Sequence, residues 1–166
     1  MVVTSPAQGS RRTSRAIIPF AIAAVAGVIH GIFSVYWGFG GNWLLETIGA
    51  RLVEAFEGRR WLLLIVAAVK LGFAVVPFVW ARRGWPRHWI WRVGCYGCYL
   101  GAVILVLWGG ANTVIGQLVL AGVIRPDGGY DRAAMIGHAW LWDPLFVIWG
   151  VALLVGLLRL RHPRSI

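Results

Sequence analysis

The sequence predicts an all-α, polytopic membrane protein with four transmembrane helices and a short amphipathic outer-surface helix between the first two. Two observations carry this prediction: four apolar stretches are long enough to cross a bilayer, and arginines gather at one set of their ends. A helix needs about 20 apolar residues to span the hydrocarbon, and it closes its own hydrogen bonds there. The stretches are 16–37, 61–80, 93–120 and 139–158.

Composition limits the chain to one small membrane domain. It has 166 residues, of which 59% are hydrophobic, well above the usual share in soluble domains. The net charge of +10 would suit nucleic acid, but the charges lie at helix ends. We therefore expect membrane lipids as partners and no nucleic acid. The expected organisation is a disordered cytoplasmic tail (1–15), a four-helix domain (16–160) and a second cytoplasmic tail (161–166).

Basic residues also predict the orientation. The segments before the first span, between the second and third, and after the fourth contain arginines and no acid, whereas the other loops mix both. By the positive-inside rule the acid-free side is cytoplasmic, which places both termini inside a plasma-membrane protein. The basic residues on that side are Arg11, Arg12, Arg15, Arg82, Arg83, Arg87, Arg92, Arg159, Arg161 and Arg164.

The segment 42–58 after the first span has apolar residues at helical spacing, from Trp43 to Phe56, with charged residues largely elsewhere. This pattern predicts a short amphipathic helix on the outer surface or over the mouth of the bundle. Anchoring to the lipid surface is the preferred interpretation, and a substrate lid is the alternative.

The third span is rich in glycine. Gly97 and Gly101 form a GxxxG motif, which allows helices to approach closely. Packing within the chain is the first interpretation, and a homo-oligomer through this face is the second. Cys95 and Cys98 form a CxxC motif in the same span, but a reducing cytoplasm and the lack of a second pair argue against a redox role.

Lys70 is the sharpest functional candidate, because ionisable residues inside a membrane are costly. It follows Trp61 by nine residues, which places it about 14 Å into the span. It should face the bundle interior and seek a partner, and Asp143 is the natural one, since no other acid lies within a predicted span. The pair could be structural or functional.

Asp143 itself allows two interpretations. Pro144 follows it, and proline is tolerated early in a helix, so Asp143 could cap the fourth span. It could equally carry chemistry, because a desolvated carboxyl is a proton donor. His30 in the first span is the second ionisable candidate, with packing as its simpler role.

Antiparallel threading brings the intramembrane polar residues together in the outer half of the bundle. We infer a polar pocket that opens outward, is roofed by the segment 42–58 and is rimmed by aromatic side chains. The expected catalytic residues are Asp143, Glu46 and His30. The expected substrate-binding residues are Lys70, Trp37, Trp108, Asn112, Gln117 and Trp142. No metal or other cofactor is expected, since His30, His138 and Asp143, which could lie together near the outer mouth, lack a tight ligand motif.

The stretch VIHGIFSVYWGFGGNWL (28–44), together with WDPL at 142–145, carries a family resemblance. It resembles small four-helix membrane proteins common in actinobacteria, which form a domain family of unknown function. The resemblance covers roughly 16–160. It implies four helices and no particular activity, and it draws attention to His30, Trp37, Gly41 and Asp143.

Two hypotheses for the function follow. The first is an intramembrane site for a lipophilic small molecule, in the form of an acid–base enzyme such as an isoprenoid (terpene) cyclase whose carbocation is stabilised by aromatic faces. The second is a non-catalytic membrane subunit or transport component. A cavity that touches Asp143 would favour the first, and a solid bundle would favour the second.

Overall fold

The computed structural model of the protein describes residues 6–85 and 89–161, with side chains from 17 to 160 outside that gap. The described chain is helical, and four helices are long and apolar enough to cross a membrane, which confirms the predicted fold class. The helices are α1 (Pro6–Gly38), α2 (Ala50–Ala55), α3 (Leu62–Arg83), α4 (Trp89–Leu120), α5 (Arg132–Gly137) and α6 (Asp143–Arg161). A 3-10 turn, Leu45–Ile48, precedes α2.

Two of these boundaries differ from the predicted ones. Helix α1 begins at Pro6, inside the stretch expected to be a disordered tail. The fourth span begins at Arg132, because α5 continues through a π-helical turn (His138–Trp142) directly into α6. The predicted tail residues 1–5 and 162–166, Arg87 and the side chains of Arg11, Arg12, Arg15 and Arg161 lie outside the described residues.

The four long helices pack in the order α3, α1, α6, α4, with α1 and α6 at the centre. Close approach of α1 depends on Gly27, where an added Cβ would lie 2.6 Å from the Cβ of Ala74 and 2.7 Å from the Trp149 ring. Helices α3 and α4 are the outer pair of this arrangement, so a seam runs between them along the bundle.

A solid apolar core fills the end of the bundle at which α3 ends and α4 begins. Phe20, Ala102, Trp149, Leu153 and Leu157 are each 2% exposed or less, and they pack together between α1, α4 and α6. Such a core stabilises the fold by dispersion contacts, because lipid tails leave little hydrophobic driving force between helices.

A cover, defined here as residues 42–58, closes the other end. The predicted single helix is divided into the 3-10 turn and α2 by Gly49, whose φ of +101° few other residues adopt. The apolar side chains of the cover, including Ile48, Val53 and Phe56, pack on a second buried cluster that contains Trp37 and Trp142. The cover therefore lies over the mouth of the bundle and packs part of its apolar surface on protein, whereas Trp43 and Leu52 are exposed.

Asp131 ties the cover to the fourth span. Its Oδ1 accepts a hydrogen bond from the Ala134 backbone N–H at 3.0 Å, and its Oδ2 accepts one from Ala50 N–H at 3.1 Å. One carboxylate thus occupies the N-termini of both α5 and α2. These backbone hydrogen bonds lower the pKa of Asp131 from its usual value of 3.8.

The GxxxG face differs from its first interpretation. Gly101 does lie close to the Phe73 ring of α3, but a Cβ at Gly97 would meet nothing within 4 Å. Gly97 therefore makes no close contact with another helix among the described residues, and the space beside it in the α3–α4 seam is unfilled.

Candidate intramembrane ligand site

A cavity of about 580 Å³ lies beneath the cover, in the half of the bundle opposite the solid core. All four long helices contribute to its wall, and the cover closes it from above with Ile48, Leu52 and Phe56. Most of the wall is apolar, and a few polar groups converge on it, which is the usual composition of a ligand site. The polar residues that line it are His30, Ser34, Lys70, Asn112, His138 and Asp143.

Lys70 reaches the cavity wall from α3 and contacts α1. Its Nζ lies 3.1 Å from Nδ1 of His30 and donates to Oγ of Ser34 at 3.0 Å. An ammonium can only donate, so Nδ1 of His30 accepts and the ring proton sits on Nε2. The predicted Lys70–Asp143 pair is wrong: among the described residues, no carboxylate oxygen lies within 4.0 Å of Nζ.

The imidazole of His30 is held in a fixed plane. It stacks on the Phe146 ring with centroids 4.2 Å apart and an interplanar angle of 17°, and the Trp142 ring lies 5.4 Å away. The residue is 6% exposed, and its Nε2 is buried without a hydrogen-bond partner among the described residues. A buried donor without a partner is costly, so this group is ready to bind an acceptor.

Asp143 pairs with His138 instead of Lys70. Oδ2 of Asp143 lies 2.6 Å from Nδ1 of His138, a short distance typical of a charge-assisted hydrogen bond. The Asp143 side chain is 2% exposed, whereas that of His138 is 34% exposed. Asp143 thus holds the His138 ring from its buried side, and the backbone carbonyl of Ile48 in the cover is a second hydrogen-bond partner of the same ring.

The π-helical turn explains how these two residues meet. Residues five apart on an α-helix are about 140° apart around the axis, but a π turn brings them onto one face. Pro144 lacks an N–H and cannot continue the regular ladder, which favours a local rearrangement of this kind. The capping interpretation of Asp143 is wrong, because the helix begins at Arg132 and Asp131 is its N-cap.

Tryptophans form the upper wall of the cavity. The rings of Trp37 and Trp142 meet edge to face, with centroids 5.2 Å apart. Nε1 of Trp37 donates to the Trp43 backbone oxygen at 2.9 Å, and Nε1 of Trp142 donates to Oγ1 of Thr47 at 2.9 Å. The cover is therefore joined to α1 and to the π turn by two indole hydrogen bonds.

The remaining predicted site residues divide into two groups. Trp108 and Asn112 of α4 line the cavity together with the residues described above. Gln117 does not line it, although it lies one turn further along the same helix. Glu46 lies on the outer side of the cover in a separate depression beside Arg60 and Asp131, so it does not reach down into the cavity.

Sequence reasoning grouped His138 with His30 and Asp143 only as a weak set of metal ligands and assigned it no catalytic or binding role. Its distance of five positions from Asp143 argues against contact on an ordinary helix, and only Pro144 signalled that the helix departs from α geometry there. Phe146 was missed because an aromatic residue in an apolar span gives no signal of its own. Thr47 was missed because the predicted cover was a continuous helix.

No metal centre emerges from the part of the chain that the structure describes, since no group of three or more His, Cys, Asp or Glu side chains converges there. Cys95 and Cys98 are buried, are not joined by a disulfide and do not line the cavity. Cys98 belongs to the apolar core instead.

The cavity opens sideways as well. Val66 of α3 and Trp108 and Ile115 of α4 line it, yet they are 36%, 64% and 49% exposed on the surface of the bundle. They lie in the α3–α4 seam within the membrane-spanning part of both helices. The cavity therefore also opens to the side, between two apolar helices.

Fold and cavity together define a four-span membrane protein with an intramembrane chamber beneath a short helical cover. The chain belongs to the family described as protein of unknown function DUF3995, whose model matches residues 27–153. No curated protein and no solved structure matches the chain. The family match includes α1 from Gly27, the cover, α3, α4 and most of α6, and thus every residue that lines the cavity.

Proposed function

We propose that this protein binds a lipophilic small molecule inside the membrane, in the cavity beneath the cover. The observation that carries the proposal is the cavity itself: about 580 Å³ of space in a membrane-spanning bundle, with an apolar wall and a cluster of polar groups. This volume falls within the usual range for small-molecule sites. The seam between α3 and α4 gives such a molecule access from the lipid phase.

The test is whether a lipophile occupies the cavity when the protein is purified. The protein would be purified in a mild detergent, and its bound molecules would be extracted with organic solvent and quantified by mass spectrometry. Val66→Trp places a large ring at the edge of the cavity beside the α3–α4 seam and should lower the amount of bound lipophile severalfold, because it narrows the opening and occupies wall that the ligand would contact.

The matched control is Ile65→Trp. Ile65 is adjacent on α3, is 54% exposed and does not line the cavity. The Ile65→Trp variant places the same tryptophan ring on the lipid-facing side of α3 and should leave the amount of bound lipophile unchanged. Equal amounts of lipophile from wild type and both variants would show that the cavity is not the binding site.

A second candidate function is an acid–base enzyme acting on that lipophile, and the His138–Asp143 pair favours it. A buried carboxylate that orients an imidazole is a recurring arrangement for proton transfer. His138 then takes the role of proton donor that the sequence assigned to Asp143, because His138 is the more exposed of the two. An imidazolium transfers a proton to an oxygen atom more readily than to a carbon atom. Among the possible substrates of an isoprenoid cyclase, we therefore favour isoprenoids that carry oxygen.

In such a reaction, a proton moves from Nε2 of His138 to the substrate oxygen, the C–O bond of an epoxide breaks, and a neighbouring double bond supplies the electron pair that closes the ring. A proton lost from the resulting cation returns to the protein, so the product is an isomer of the substrate. Reconstituted protein incubated with a linear polyprenyl epoxide should yield such an isomer, and His138→Gln should abolish it.

Asp143→Asn separates a catalytic role of Asp143 from a structural one. The amide keeps the size of the side chain and one acceptor oxygen, but it has no negative charge and cannot take up a proton from His138. Full turnover in this variant would refute the enzyme candidate. A non-catalytic subunit or transport component is the remaining alternative, and it predicts no conversion by wild type. We place the protein in the plasma membrane with both termini cytoplasmic.

A further inference from the structure

We propose that the ligand is an amphiphile whose anionic oxygen head contacts Lys70 and whose hydrocarbon chain lies along the seam between α3 and α4. This inference rests on the proposed function and specifies the chemistry of the same site. It is carried by two features on opposite sides of Phe73: a cation without an acidic partner in the cavity, and an apolar groove below it.

The head end is defined by hydrogen-bond donors. Lys70 has three N–H groups, and the contacts to His30 and Ser34 account for two of them. His30 is only 6% exposed, and its Nε2 has no hydrogen-bond partner among the described residues. The cavity acid, Asp143, is already engaged by His138.

A positive charge in an apolar span is strongly unfavourable without a counter-charge. Lys70 contacts a neutral imidazole, a hydroxyl and, at 6.0 Å, the face of the Phe146 ring, and none of these neutralises it. A carboxylate or phosphate oxygen entering the cavity would do so and would take up the remaining donor. The chemistry of the site therefore selects an anionic head.

The tail end is defined by a second hollow of about 400 Å³ on the same seam. Its wall is almost entirely apolar and is formed by residues of α3 and α4, including Gly72, Val76, Trp80 and Gly97. A Cβ at Gly72 or Gly97 would meet nothing within 4 Å, so the two glycines leave a channel on the lipid-facing surface.

Phe73 lies on α3 between Lys70, which lines the cavity, and Val76, which lines the lower groove. Its ring lies against Gly101 of α4 and belongs to the wall of the groove. A chain that leaves the cavity beside Trp108 reaches the groove by passing this ring on the lipid side. Cavity and groove together thus offer a polar pocket followed by an apolar track, which is the shape of a single-chain amphiphile.

The full chain reconstituted in phosphatidylcholine nanodiscs would be labelled with an oleate analogue that carries a photoreactive diazirine at mid-chain. We expect crosslinks on the segments 72–80 and 94–98. Oleate should compete, and methyl oleate, which lacks the charge, should compete about tenfold more weakly, equivalent to about 1.4 kcal/mol. Lys70→Met should abolish this difference, and Lys70→Arg should preserve it.

Gly97→Leu tests the tail without altering the head. The position is open, so the variant should fold, but its side chain fills the groove and should reduce the crosslinks severalfold. Gly110→Leu is the matched control, because Gly110 lies on the same helix, is equally open and belongs to neither hollow. Equal labelling of both variants would overturn the proposed path of the tail.

Nanodiscs that include phosphatidylglycerol distinguish the source of the head group. Competition by this lipid as strong as that by oleate would identify a membrane phospholipid, and lack of competition would identify a free fatty acid; both support the anionic head. Equal competition by methyl oleate would overturn the anionic head and leave the proposed function standing. Labelling that Val66→Trp does not change would count against the proposed function itself.

Discussion

Nζ of Lys70 lies 3.1 Å from Nδ1 of His30, and this contact joins α3 to α1 in the middle of the membrane-spanning bundle. Ser34, one turn beyond His30, accepts a second hydrogen bond from the same ammonium. The contact leaves one face of Lys70 toward the cavity. A single side chain therefore both connects two helices and presents a charge to the ligand space.

Lys70→Met should lower the free energy of unfolding by about 0.6–2 kcal/mol, the range of interhelical hydrogen bonds in membranes, because His30 and Ser34 lose their donor. Unfolding would be measured in mixed micelles by titration with a denaturing detergent. Val69→Met is the control, since Val69 is 67% exposed on the adjacent lipid-facing position. Equal stability of the two variants would mean that the contact contributes nothing to the fold.

His138 and Asp143 should be energetically coupled. Removal of His138 leaves the buried Asp143 without its partner, and removal of Asp143 takes the hydrogen bond from His138, so His138→Gln and Asp143→Asn should not be additive. We expect a coupling energy of about 1–3 kcal/mol in a double-mutant cycle of unfolding free energies. A coupling energy near zero would show that the short contact does not bind the two residues together.

Thr47→Val should loosen the cover. It keeps the shape of the side chain but removes the acceptor for Nε1 of Trp142, and an unsatisfied buried indole N–H costs about 1–3 kcal/mol. Hydrogen exchange of the backbone amides in 45–55 should accelerate accordingly, whereas Thr47→Ser should exchange like wild type. If these amides exchange as slowly in Thr47→Val as in wild type, the hydrogen bond does not hold the cover closed.

Acid should release the cover through Asp131. Its pKa is lower in the folded protein than the usual 3.8, because the N–H groups of Ala134 and Ala50 stabilise the carboxylate. The stability that it provides is therefore complete above the unfolded pKa and is lost as the pH falls through the lowered folded value. Amide exchange at Ala50, corrected for its intrinsic pH dependence, should become faster at that low pH, and Asp131→Ala should remove the pH effect.

The orientation of the chain can be tested by labelling. In a background without Cys95 and Cys98, a membrane-impermeant maleimide should modify Asp127→Cys in intact cells and spare Arg83→Cys. Both positions are exposed in turns or at a helix end, so access and not burial decides the outcome. The opposite pattern would place the termini and the connection between α3 and α4 outside.

The spans could be predicted because a bilayer imposes a length and a composition that can be read from the residues alone. The sequence also singled out four of the polar residues that line the cavity, His30, Lys70, Asn112 and Asp143, since such residues stand out in an apolar span. It could not identify their partners. Lys70 pairs with His30 because α1 and α3 are neighbours in the packing order, and that order depends on how small residues such as Gly27 and Ala74 allow the helices to approach.

The contact between His138 and Asp143 was beyond prediction for a different reason. It requires a π turn, and the propensities of the residues in that turn do not distinguish it from a regular helix. The division of the cover has a similar cause. Its spacing suits one helix, but the left-handed conformation at Gly49 depends on the contact of the cover with α5, where its Cβ position lies 3.5 Å from Ala134.

The packing of Trp149 has a consequence for traffic across the bilayer. Its ring, 2% exposed, sits against Gly27 of α1 and Phe73 of α3 below the chamber, so a guest that descends from the cavity meets a wall of aromatic carbon. In this conformation the aromatic core closes the direct path along the bundle axis. If the proposed function holds, a guest leaves through the mouth or the seam by which it entered, so loading and discharge occur on the same side of the bilayer.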